Sequence, residues 1–105
     1  MNEPEVDTAL ARAICRLGVE ATAELARAME KHAPMHSLHE GYAVIFEELD
    51  ELWDEVRAWQ PGSDLTEARK EALQVAAMAL RIILDVCDAP RSLASPPPAS
   101  RPEGQ

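Results

Sequence analysis

The sequence predicts an all-α helical bundle, with three main helices per chain and a core completed by oligomerisation. Ala, Leu, Glu and Arg dominate the 105 residues, while aromatics make up only 4% and glycines number 4. That composition favours helices and argues against a sandwich or barrel. Apolar residues also recur at three- and four-residue spacing in three long stretches, each closed by a proline-containing breaker. The third stretch carries too wide an apolar arc to be covered within a chain this small.

The first helix is expected over 5–31, where Leu10, Ile14, Leu17, Ala21, Leu25 and Ala28 fall on one face. Pro4 suits a first helical position, because its missing N–H is not needed there. Gly18 weakens the middle of this helix by up to about 1 kcal/mol relative to Ala. His32-Ala33-Pro34 ends it.

Ser37-Leu38-His39-Glu40 reads as a capping box, with the Ser37 hydroxyl accepting from the Glu40 N–H and the Glu40 carboxylate reaching back. The second helix then runs to about Trp59 and stops at Gln60-Pro61-Gly62. Tyr42, Ile45, Leu49, Leu52, Val56 and Trp59 form a heptad-like stripe along it. Asp64-Leu65-Thr66-Glu67 signals the cap of a third helix, which reaches Asp88 before Ala89-Pro90. Ala68, Ala72, Val75, Ala79, Ile82 and Val86 share one face of it, and Leu73, Ala76, Leu80, Leu84 and Cys87 the next. Together they span about 200° at 100° per residue, so this helix is expected near the centre. The chain therefore divides into one all-α domain, 1–89, and a Pro-rich tail, 90–105, expected to be disordered.

The formal charge is −9 and the isoelectric point is near 4.7. That balance disfavours nucleic-acid backbones and anionic membranes as partners and suits a protein that gathers cations. The acidic start of the chain has no apolar run for a signal or membrane span, which points to a cytoplasmic protein. Cys15 and Cys87 have no Cys or His at ligand spacing and read as reduced, buried thiols. Met29, Met35 and Met78 read as core or loop fillers. His36 and His39 lack a third ligand and read as a loop histidine and an exposed first-turn histidine.

Glu47, Glu48, Asp50, Glu51, Asp54 and Glu55 crowd the second helix. On the helical wheel Glu51 lies about 60° and Glu55 about 20° from Glu48, beside the apolar stripe, while Asp50 and Asp54 point away. A solvated face accounts for Asp50 and Asp54. Glu48 and Glu51 at a core edge repel each other and call for compensation by a divalent cation, or by Arg57 or Arg81. On the third helix Glu71, Gln74, Met78, Arg81 and Asp85 form the matching stripe. Antiparallel packing would face Glu48 and Glu51 with Glu71 and Gln74, giving several oxygen ligands of the kind Mg²⁺ takes.

Glu48-Leu49-Asp50-Glu51, followed by Glu71-Ala72-Leu73-Gln74 opening an apolar helical run, resembles the MazG-like all-α nucleoside triphosphate pyrophosphohydrolases across roughly residues 36–88. That family pairs Glu-x-x-Glu on one helix with Glu-x-x-Asp on the next. The resemblance implies release of pyrophosphate from a nucleotide with Mg²⁺ or Mn²⁺, inside a homodimer or homotetramer. It makes Glu48, Glu51, Glu71 and Gln74 the metal ligands. Glu47 or Glu51 would then orient the attacking water. Lys or Arg must clamp phosphates, with Lys31, Arg69, Lys70 and Arg81 available. Trp53, Trp59 or Tyr42 could wall a base pocket, although each also reads as core or dimer contact. From these sets Lys70, Arg81 and Trp53 are taken as the phosphate or base contacts.

Gln74 departs from the family's Asp and removes a charge, which Asp85, on the same stripe, could restore. No further helix follows the third. The alternative reading is therefore a non-catalytic helical dimer, a binding or regulatory module that kept the bundle and lost the chemistry. A third reading, an acidic adaptor docking through its Pro-rich tail, rests on the tail alone.

Overall fold

The computed structural model describes residues 7–88, and all regular structure among them is helical. The chain folds as α1 (Thr8–Lys31), α2 (Leu38–Ala58) and α3 (Thr66–Ile82), with α3 continuing into a π-helical stretch, Ile83–Asp88. The expected role of Pro4, the helix start at position 5 and the disordered tail from 90 onward lie outside the described residues. No described helix is long and apolar enough to cross a membrane.

The helix ends follow side-chain chemistry. Asp7 caps α1, its Oδ1 accepting from the Leu10 N–H at 2.8 Å, so the helix opens at Thr8. Ser37 caps α2 as expected, with Oγ accepting from the Glu40 N–H at 3.0 Å. The Glu40 carboxylate reaches back one residue further than a capping box requires, to the His36 N–H at 2.6 Å. Between α2 and α3, Gln60 O accepts from the Ser63 N–H at 2.9 Å, and Gly62 takes the positive φ of 90° that such a tight turn requires. Asp64 does not cap α3 from the cap position, which Leu65 holds. Its Oδ1 instead folds onto the Thr66 N–H and hydroxyl at 3.0 and 2.7 Å.

The third helix is central, as its wide apolar arc predicts. It packs against both α1 and α2, which scarcely meet. Glu20, Glu24 and Ala28 of α1 meet Arg69, Gln74 and Arg81 in ascending order, so α1 and α3 run parallel. Gly41 near the start of α2 lies against Ile82 near the end of α3, so these two run antiparallel. A Cβ on Gly41 would stand 2.5 Å from Ile82 Cγ1, so the absent side chain sets how closely α2 approaches.

The core within one chain is small. Leu25, Met35, Ala77 and Met78 form its buried centre, edged by Ala28, Val44, Ile45, Ile82 and Val86. Cys15 and Cys87 are exposed, not buried as expected, because α1 and the π-helical stretch turn those positions to water. Met29 likewise stays half-exposed. Of the heptad-like stripe expected on α2, Ile45 and Leu52 turn toward α3. Tyr42, Leu49, Val56 and Trp59 face water, joined by Phe46 and Trp53.

Candidate functional site

The α2–α3 contact gathers Glu48 and Glu51 from α2 and Glu71 from α3, with one carboxylate oxygen of each within 4.8 Å of the others. Each residue arrives by simple periodicity: Glu48 and Glu51 are nearly one turn apart on the edge of α2 that adjoins α3, and antiparallel packing brings Glu71 across. Glu48 and Glu71 are half-buried and Glu51 is exposed. Glu71 Oε1 is buried with no hydrogen-bond partner.

The electrostatics follow from that crowding. Burial, then the charges of Glu51, Glu71 and Glu47, hold the Glu48 carboxyl above its ordinary value of 4.5. Burial also raises Glu71, and the approach of Glu51 raises it further, since those two can hydrogen-bond only when one of them carries a proton. The charge of Lys70, the neighbouring residue on α3, acts against this and pulls Glu71 back down. Three like charges with an orphaned buried oxygen suit a hard divalent cation, which takes oxygen ligands and removes the repulsion.

Beside the trio, between α1 and α2 and floored by α3, runs a cleft of about 440 Å³. Glu47, Glu48 and Gln74 line its acidic side and Met35, Val44 and Met78 its apolar side. Gln74 does not join the trio here. Its Nε2 donates to Glu24 Oε1 across the α1–α3 contact, and Arg27 pairs with the same residue, lowering the Glu24 carboxyl.

Arg81 reaches the cleft wall but is occupied within the chain. Only 3% exposed, its Nε donates to Asp85 Oδ2 at 2.8 Å. NH1 donates to Ala28 O at 3.2 Å, and NH2 to His32 O and Ala33 O at 2.8 and 3.0 Å. Asp85 is not a spare ligand, because the same Oδ2 also accepts from the Met35 N–H at 2.9 Å. Arg81 therefore ties the end of α1 and the following loop to α3, and it does not clamp an external phosphate. Nor does it neutralise Glu48 and Glu51. Arg57 does not either, since it pairs with Asp54 at 2.5 Å on the exposed face. Arg69 grips Glu20 through two 2.7 Å bonds, and Lys70, whose charge acts on Glu71, remains the candidate phosphate contact. Trp53 sits half-exposed on the side of α2 away from the cleft, so it does not wall the cleft within one copy.

Sequence reasoning missed Glu24, Gly41 and the joint engagement of Asp85. Glu24 carries only the signal of its i,i+3 partner Arg27, and nothing in sequence points it at Gln74. Gly41 is one polar-neutral residue in a helix, and its role appears only where Ile82 meets it. Compared with protein-family models, curated proteins and solved structures, the chain matches none of them.

Proposed function

We propose that this chain is a MazG-like nucleotide pyrophosphohydrolase, dependent on Mg²⁺ or Mn²⁺ and acting as a cytoplasmic homodimer or homotetramer. The observation that carries the reading is the convergence of Glu48, Glu51 and Glu71, with a buried carboxylate oxygen left without a donor. These three residues would hold the cation, which when bound neutralises phosphate oxygens as the bond to the leaving pyrophosphate breaks.

The remaining work falls to the chain's own groups. Glu47, beside Glu48 on the cleft wall, accepts the proton of a water that attacks the α-phosphorus. The anhydride bond from that phosphorus breaks, pyrophosphate departs and the nucleoside monophosphate remains. Lys70, whose charge acts on Glu71, meets the outer phosphates. The apolar wall of Met35, Val44 and Met78 offers the base a dry surface.

One observation favours the alternative, a non-catalytic helical dimer. Gln74 stands bonded to Glu24, which leaves three carboxylates where the family has four. A pyrophosphate-release screen over standard and modified nucleoside triphosphates, with Mg²⁺ or Mn²⁺, separates the two. Turnover that disappears in Glu51→Gln supports the hydrolase. A cation-dependent rise in melting temperature without turnover on any nucleotide supports the module. Neither turnover nor a cation response defeats the site itself.

A further inference from the structure

The third helix buries Ala77 and Met78 but leaves a second apolar face uncovered among the described residues. Glu71, Gln74, Arg81 and Asp85 are buried or half-buried in the helical layer, whereas Ala72, Ala76, Ala79, Leu80, Ile83 and Leu84 face water. The second helix also leaves an apolar face uncovered: Tyr42, Phe46 and Trp53 are 68%, 54% and 54% exposed, with Leu49 between the last two and Val56 beyond them, at four- and three-residue steps. The two faces are continuous. Leu52 of α2 and Ala68 and Ala72 of α3 line one open groove on the side away from the acidic cleft. On their helical wheels the stripe adjoins Leu52, and Ala76 and Ala79 adjoin Ala72.

We infer that this back surface seats a second copy of the chain. Under two-fold symmetry the aromatic stripe of α2 in one copy lies on the small-residue face of α3 in the other, and the reverse contact repeats it. Three arguments select a second copy over another partner. The first is size. Half-exposed aromatics, together with Leu49, Val56, Leu80 and Ile83, offer on the order of 700 Å² per copy, close to the roughly 800 Å² each partner gives to a stable interface.

The second argument is fit. Large rings on α2 and alanines on α3 are complementary surfaces carried by the same chain, so the pairing closes on itself. Tyr42 and Phe46 are already stacked, with ring centroids 6.3 Å apart, which orders part of the stripe before docking. The third is charge. A chain of formal charge −9 repels its copy, yet the stripe of α2 and the exposed apolar face of α3 carry no acid, and Asp64 at the groove between them is already bonded to Thr66. Glu47, Asp50 and Asp54 lie off the stripe, and the acids of α3 lie on its inner side. Among the described residues the buried core is small, so this surface gains stability from a cover.

This inference rests on the self-association in the proposed function and names its surface; it does not require the chain to hydrolyse nucleotides. The test uses the full chain at micromolar concentration. Sedimentation equilibrium gives a mass of at least twice 11.5 kDa. Trp53→Glu and Phe46→Glu each weaken self-association by about 100-fold or more, as loss of a central aromatic anchor does. Val19→Glu, on the outermost face of α1, leaves it unchanged.

Hydroxyl-radical footprinting of the unaltered chain keeps the test independent of whether the variants fold. Tyr42, Phe46 and Trp53 are protected while Val19 is labelled. A monomer, with the stripe labelled or protected, overturns the inference and the assembly with it. An oligomer whose stripe is labelled, or whose mass ignores both stripe variants, overturns the assigned surface alone.

Discussion

Two charged clusters sit on the inner side of α3, less than four turns apart, and they are built on opposite principles. Around Arg81 four N–H···O bonds run to Asp85, Ala28, His32 and Ala33, and the Asp85 oxygen takes the Met35 N–H as well. Around Glu71 three carboxylates face one another, and one buried oxygen has no donor. The first cluster closes on itself and fixes where α1 ends. The second leaves its like charges unmatched within the described residues. A buried charge with every bond matched has a structural role, and one whose bonds are missing marks where a ligand would act.

The largest effect should come from opening the closed cluster. Arg81→Ala leaves the half-buried Asp85 without its cation and three carbonyls without donors. It should cost about 3–5 kcal/mol, the range for removing one partner of a buried pair. Urea denaturation measures it. A loss below about 1 kcal/mol would mean water replaces the guanidinium and the cluster is not what anchors α1.

The open cluster responds in the other direction. Glu48 and Glu71 carry raised pKa values, so the folded chain binds more protons than the unfolded one. Their contribution is fully present below the ordinary 4.5 and is lost as pH rises through the raised folded values. Glu20, Glu24 and Asp64 are lowered, and their contribution is lost instead as pH falls. Metal-free stability from Glu48 and Glu71 should therefore decline from about pH 4.5 toward neutrality.

Glu51→Gln removes a charge that raises both neighbours. It should flatten that decline and stabilise the metal-free chain by on the order of 0.5 kcal/mol, while weakening the response to Mg²⁺ or Mn²⁺. Asp54→Asn, which loses only an exposed pair with Arg57, should leave the cation response intact. Denaturation across pH, with and without cation, compares the two. Equal behaviour would reduce the trio to ordinary surface charge.

The open cluster was legible in the sequence and the closed one was not. Glu48, Glu51 and Glu71 follow from helix period and antiparallel order, which caps and breakers already give. Arg81 and Asp85 look the same in sequence as any charged pair four apart on a helix. Their meaning depends on three carbonyls about fifty residues away, at the end of α1, and on a register between α1 and α3 that no local pattern encodes. The same register decides Gln74, whose bond goes to Glu24 on α1. The switch to π-helix at Ile83 likewise has no breaker to announce it. The wide apolar arc of α3 was legible, and among the described residues part of it, Leu80, Ile83 and Leu84, stays exposed.

Gln74 lies between the two clusters, and changing it yields a small effect and the sharpest discrimination. Gln74→Asp supplies the charge the family places here. It also shortens the side chain by one carbon, removes the amide that donates to Glu24, and sets two carboxylates across the α1–α3 contact. Without cation the variant should be slightly less stable than the parent, by a few tenths of a kcal/mol to about 1, since one hydrogen bond is lost and a repulsion gained. If position 74 can reach the trio, cation should more than restore that loss, and Mg²⁺ affinity by calorimetric titration should exceed the parent's. Combining it with Glu24→Gln removes the repulsion across the contact and should preserve the affinity gain. Weaker cation binding in both the single and the double variant would place position 74 in the α1 contact alone and leave the site with three carboxylates.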